Sequence, residues 1–132
     1  MPQKVLNATQ TNVGVNSGQL PTYEVGSWTP TFTGLTAVDW VGSTAGRYTK
    51  IGNTISFQVV ITTTSGTIAS VAGTSYCDLP APASQHSNVL ASNAVTLIGI
   101  GTGMVNATTD RVMVPTWTAT GDTIVISGTY EV

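Results

Sequence analysis

Residues 46–61 read GRYTKIGNTISFQVVI, two β-favouring runs joined by Gly52-Asn53. Gly followed by Asn between such runs signals a two-residue hairpin, because Gly adopts the positive φ that opens a type II′ turn. That turn fixes a register. Ile51 faces Thr54, Lys50 faces Ile55, Thr49 faces Ser56, Tyr48 faces Phe57 and Arg47 faces Gln58. Opposed residues share a side of the sheet. One side is then Tyr48, Ile55, Phe57, Val59 and Ile61, with Lys50 at its rim. The other is Arg47, Thr49, Thr54, Ser56 and Gln58, with Ile51 at the turn. A slip of one residue would mix the two sets, so pattern and turn chemistry specify the same pairing.

The rest of the chain continues in this texture. The β region opens near Tyr23. Trp28, Pro30 and Phe32 alternate with threonines, and Pro30, lacking an N–H, places that strand at an edge or breaks it. Residues 34–45 read as a loop with an apolar tip of Val38, Trp40 and Val41. Residues 62–66 read as a turn, 67–71 and 75–79 as short strands, and 83–88 as a polar loop. Residues 94–100 read as a strand carrying Val95 and Leu97 on one face and Ile98 and Ile100 on the other. Burial on both faces follows from that pattern, which makes Ile98 and Ile100 candidates for a subunit interface. Gly99, Gly101 and Gly103 predict a bulge or a close backbone approach. Gly121-Asp122 predicts a turn. The last strand, 123–132, puts Ile124, Ile126, Tyr130 and Val132 on one side, and Gly128 leaves a gap there for a large neighbour. No stretch of ten residues keeps a helical period. Some nine short strands spaced by Gly, Pro and Asn predict an all-β antiparallel sandwich or jelly roll over residues 23–132.

Residues 1–22 differ in character. Val5, Leu6, Val13, Val15 and Leu20 are spaced apolar residues in a polar, Asn/Gln/Thr/Gly-rich segment. The reading is an extended arm that orders against another subunit or a larger assembly, with Val5, Leu6, Val13 and Val15 as anchors to the particle.

Charge narrows the function. Only 8% of residues are charged and the net charge is −2, where globular domains usually carry about 25% charged residues. Neutral hydroxyls and glycines must cover the surface, which suits a chain covered by partners. Lys4, Arg47, Lys50 and Arg111 do not cluster, so the footprint of a nucleic-acid binder is missing. No run reaches the roughly 18 apolar residues of a membrane helix, and the first ten residues lack the apolar core of a signal peptide. The expectation is a soluble protein made in a reducing cytoplasm, with no membrane insertion. One cysteine, Cys77, excludes an internal disulfide, and one His with one Cys cannot build a structural zinc site. His86 sits in SQHS with no nucleophile elbow, and the six carboxylates are scattered singly, so neither a hydrolase triad nor a glycosidase pair is indicated. The reading is no enzyme, no cofactor and no metal.

Three segments, YEVGSWTPTF (23–32), GRYTKIGNTI (46–55) and ISGTY (126–130), resemble in wording, order and spacing the small β-sandwich domain at the C-termini of bacteriophage tail fibres, tail spikes and other virion appendages. The resemblance spans residues 23–132, with the middle matched only by its strand-like texture. It implies a trimeric virion surface domain without catalysis. Fibre proteins of this kind carry a long shaft before the domain, whereas here residues 1–22 precede it without coiled-coil heptads. Two expectations follow. One is a capsid decoration or cement protein, a homotrimer bound to the major capsid protein or another virion protein through its arm. The other is a receptor-binding tip of a short tail or head fibre, contacting host glycan or protein through a loop at Asp39 and Trp40.

Overall fold

The computed structural model describes residues 23–132. Ten strands form in sequence order: β1 (Tyr23–Trp28), β2 (Phe32–Thr33), β3 (Thr36–Ile51), β4 (Thr54–Ser70), β5 (Tyr76–Asp78), β6 (Ser87–Asn93), β7 (Ile98–Asn106), β8 (Arg111–Met113), β9 (Trp117–Thr120) and β10 (Thr123–Glu131). All pairings are antiparallel. One path of ladders runs β1-β3-β4-β10-β6-β7-β8-β5-β2, with β9 pairing β4 beside it. The sheet curls into a half-barrel. The layers arise from one sheet bending around a core, and the ladder path is unbroken from β1 to β2.

The β3–β4 hairpin has the register that its turn dictates: Ile51 pairs Thr54, Lys50 pairs Ile55, Tyr48 pairs Phe57 and Arg47 pairs Gln58. Gly52 has φ +60°, and Asn53 is not in the positive-φ set, as a type II′ turn requires. Ile55, Phe57, Val59 and Ile61 are buried together with Ile124, Ile126 and Tyr130 from β10, Val89 and Ala91 from β6, and Val105 and Val112 from β7 and β8. Gly128 leaves the expected gap. A Cβ there would come within 2.6 Å of Val89 Cγ1 and 3.3 Å of Phe57 Cε1, so those two side chains fill the space. The chain also breaks at Pro30, between β1 and β2.

Four expectations fail, each for a physical reason. Residues 34–45 are not a loop. From Thr36 they belong to β3, which has a register shift between Val38 and Val41. Residues 62–66 are not a turn but part of β4, where Gly66 (φ +74°) lets the strand run close under the Asp39 carbonyl. Gly121-Asp122 does not reverse the chain. β9 and β10 both lie along β4, in the same direction, with Thr63 N–H donating to the Asp122 carbonyl at 3.0 Å between them. Residues 94–97 are a turn, not a strand. Asn93 Oδ1 accepts from the Val95 and Thr96 N–H groups at 2.9 and 3.1 Å, and this local bonding turns an apolar run that would otherwise extend.

The corner between β8 and β9 carries the chain from one limb of the curl back to β4. Ser70 pins it from within β4: its Oγ donates to the Pro115 carbonyl at 2.6 Å and accepts from the Trp117 N–H at 3.0 Å. A Cβ at Gly103 would collide with the Met113 carbonyl, which is the close approach that its position suggested.

Candidate functional site

The arm anchors Val5, Leu6, Val13 and Val15 lie outside the described residues. Where the segment joins the sheet is defined. Tyr23 opens β1 and pairs Ile51, next to the Gly52-Asn53 turn. Val132 N–H donates to the Asn53 carbonyl at 2.9 Å, so the last residue lies at this same end. β1 is terminal in the ladder path, and no described strand pairs its outer edge. Tyr23 and Val25 are 68% and 64% exposed, and Ile51 beside Tyr23 is also exposed. These three form an apolar patch where the N-terminal segment departs.

The other two candidate sites lie away from the Gly52-Asn53 turn. Asp39 (φ +48°) and Trp40 occupy the irregularity in β3 rather than a loop. Trp40 is half-buried against the core, and its Nε1–H donates to Thr63 Oγ1 at 3.0 Å. The ring therefore folds back as a lid, with Val38 and Val41 exposed on either side of it in sequence. Ile98 and Ile100 open β7. The two-faced strand that suggested an interface does not exist, because Val95 and Leu97 are in the turn. Ile100 is half-buried on the core, while Ile98 is 63% and Leu97 86% exposed. Leu97 holds φ +60°, a conformation that side chains rarely adopt.

Backbone bonds link these two places. Thr63, which holds Trp40, donates its N–H to Asp122, and Ala94 N–H donates to the neighbouring Thr123 carbonyl at 2.8 Å. Residues 39–40 and the 94–97 turn, far apart in sequence, are thus linked through Asp122 and Thr123, away from the Gly52-Asn53 turn, while β3, β4 and β9 continue past residues 39–40 to Thr36, Ser70 and Trp117.

The outer face of the sheet carries rows of paired residues. One row across it is Ser27, Arg47, Gln58, Ser127, Leu90 and Thr102, each opposite the next. The row beside it is Ala45, Val60, Val125 and Ser92. Shallow depressions of about 450 and 490 Å³ lie along this face and share Ser56, Phe57 and Ser127. Arg47 donates to Gln58 Oε1 at 3.5 Å, a long contact, so its charge is only loosely held.

A further cluster on this face escaped sequence reading. Met104, Met113 and Tyr76 are successive partners across β7, β8 and β5. The Arg111 guanidinium stacks 4.1 Å from the Tyr76 ring centroid. Only the non-local register brings them together. The alternation of Arg111 and Met113 about buried Val112 was the one available sign.

Catalytic groupings do not form among the described residues. His86 is exposed, and its Nδ1 accepts from the Ala107 N–H at 3.0 Å. Cys77 is buried, and burial, with Asp78 adding, pushes its thiol up to about 12. Among the described residues no three His, Cys, Asp or Glu side chains gather where a metal could sit. What the geometry offers is contact: a strand edge that no described strand pairs, exposed apolar residues, and an outer face that mixes Ser and Thr with Val60, Val125, Leu90 and the charge of Arg47. Comparison with known proteins returns no match among family models, curated proteins or solved structures.

Proposed function

We propose that this chain is a non-catalytic virion structural protein, a homotrimer of β-sandwich-type subunits that decorates a phage capsid and cements it. The observation that carries the reading is polarity. Tyr23, Val25 and Ile51 are exposed beside the Gly52-Asn53 turn where the N-terminal segment joins, and Val38, Leu97 and Ile98 are exposed away from that turn. An arm that grips the particle beside the turn leaves the second group facing outward. The charge-poor outer face, where Ser and Thr mix with Val60, Val125 and Leu90, suits a protein much of whose surface is covered in an assembly. The resemblance of residues 23–32, 46–55 and 126–130 to virion appendage domains supports the same context. The protein would be made in the host cytoplasm and reside in the virion.

Stabilisation would come by mass action, because a ligand that binds only the assembled lattice shifts the shell away from disassembly. Three arms on one trimer bind together, so individually weak contacts become retentive. The test is co-sedimentation with undecorated particles. Val5→Asp combined with Leu6→Asp should leave the oligomer intact and remove at least ten-fold of the particle affinity. Undiminished binding overturns the arm-anchored reading.

A second reading, a receptor-binding tip, is favoured by the link between residues 39–40 and the 94–97 turn. Host-cell binding by the purified protein, lost on Leu97→Asp and weakened on Trp40→Ala, supports it. No binding at high concentration rejects it.

A further inference from the structure

Edge strands in native proteins are normally guarded by a bulge, a proline, a lysine or a covering segment. β1 has none of these among the described residues. Its pairing with β3 is unbroken over six residues, Tyr23 to Trp28. It contains no Pro and no Lys, and Glu24 is its one charge. Its outward side chains begin with Tyr23 and Val25, both more than 60% exposed. An unguarded, apolar, regularly extended edge is a template for one more strand.

The chain itself contains a matching strand. Residues 5–22 carry no charged side chain, so none would be desolvated on entering a ladder. Within them, Thr11-Asn12-Val13-Gly14-Val15-Asn16 alternates, with two valines two positions apart. That spacing equals the spacing of Tyr23 and Val25, so a paired segment sets Val13 and Val15 against them on the outer face. Folding back onto its own edge would require a reversal just before Tyr23. There the sequence is Leu20-Pro21-Thr22. Pro21 holds φ at about −65° and biases Leu20 towards extended backbone, which suits a segment that runs on to a neighbouring copy. Eight residue steps separate Val15 from Tyr23, an extended reach of about 26 Å at about 3.3 Å per residue, enough to cross to a neighbouring copy.

We propose that residues 11–16 of one copy add as a strand to the outer edge of β1 in a second copy, with Val13 and Val15 packed against Tyr23 and Val25. Repeated head to tail, this exchange closes a ring in which every copy both gives and receives a strand. It deepens the assembly part of the proposed function and divides the arm's labour. Val13 and Val15 hold the oligomer, which leaves Val5 and Leu6 for the particle.

The experiment uses full-length protein without particles. Chains bearing only Val25→Cys are co-produced with chains bearing only Val13→Cys or only Val15→Cys, and a short bismaleimide is added. Cys77 stays in place because it is buried. A covalent heterodimer in at least one mixture, absent from each chain alone, is the expected result. A chain carrying both Val25→Cys and Val15→Cys that closes an internal loop instead, or the absence of any link, overturns the proposal. Independently, Val25→Lys, an exposed change that leaves the core untouched, should reduce the solution mass to one chain with an unchanged β circular dichroism spectrum. An unchanged mass also overturns it. Copies that link to one another yet fail to bind particles would reject the decoration reading alone.

Discussion

Tyr48 and Phe57 stand directly opposite each other across the β3–β4 hairpin, and Trp28 packs edge-on against both, at ring-centroid distances of 6.2 and 6.3 Å. Phe57 in turn meets Tyr130 at 5.8 Å. The hairpin is therefore both the best-registered local unit and the wall on which the N-terminal strand and the last strand close. Phe57→Ala removes the member that meets Tyr48, Trp28 and Tyr130 alike. It should destabilise by about 3–5 kcal/mol, the usual range for a buried Phe truncation, measured by urea unfolding with Thr49→Ala on the opposite face as a near-neutral control.

Gly128 and Val89 offer a sharper test of packing. A methyl at Gly128 would sit 2.6 Å from Val89 Cγ1. Gly128→Ala should cost about 1–3 kcal/mol through overpacking. In the Val89→Ala background the same change should cost less, because the clashing methyl is gone. A double-mutant cycle reads the coupling. Simple additivity would show that the gap at Gly128 is not filled by Val89.

The Ser70 hydroxyl is buried and serves two backbone groups at the β8–β9 corner. Ser70→Ala leaves the Trp117 N–H and the Pro115 carbonyl without that partner. The expected loss is about 2–4 kcal/mol, since each orphaned buried group costs about 1–3 kcal/mol less what relaxation recovers. Amide exchange should quicken first in β9, which Trp117 opens. Equal protection of β9 in both proteins would refute the pinning role.

Alkaline pH should destabilise the fold over a defined window. Burial, opposed by the bond to Ala81 and reinforced by Asp110 and Tyr48, pushes the Tyr130 hydroxyl up from 10.0 to about 12. The buried Cys77 thiol moves from 9.0 to about 12. Above the lower values the unfolded chain gives up these protons while the native chain keeps them, so the unfolded state binds fewer protons and stability falls with rising pH. The stabilisation is whole below pH 9 and lost as pH approaches 12. Tyr130→Phe should flatten the fall between pH 10 and 12. Cys77 should resist thiol reagents at pH 8 until the protein is unfolded.

The elements legible in the sequence were those whose signals are local and agree with one another. Period two in residues 54–61 and a Gly-Asn turn select one register, and Gly128 announced its gap because it interrupts an otherwise apolar face. The misreadings share another cause. Gly66 and Gly121 look like chain breakers, yet in β3, β4 and the β9–β10 line they serve as irregularities within continuing strands, because pairing on both edges of β4 outweighs local turn preference. Residues 94–97 failed the other way. There the Asn93 side chain captured two backbone N–H groups and overrode a β-like apolar pattern. The link from Trp40 through Thr63, Asp122 and Thr123 to the 94–97 turn, and the Met104–Met113–Tyr76 row, depend on registers between distant strands, which no local pattern encodes.

Leu97 poses the last test. It is 86% exposed and holds φ +60°, where its Cβ is crowded and no burial compensates. A non-glycine residue there costs about 1–2 kcal/mol, and Leu97→Gly relieves this at the expense of a more flexible unfolded chain. The net expectation is a gain of about 0.5–1 kcal/mol in urea unfolding. The receptor-binding reading gives this strained, exposed apolar side chain a use as a contact. On the receptor-binding reading, Leu97→Gly should yield a more stable protein that binds host cells more weakly. Leu97→Asn, which tolerates the same φ, should behave alike on both counts. A loss of stability in the Gly variant would mean that the Leu97 side chain is held by contacts within its own chain, and the 94–97 turn would lose its best claim to be a contact surface.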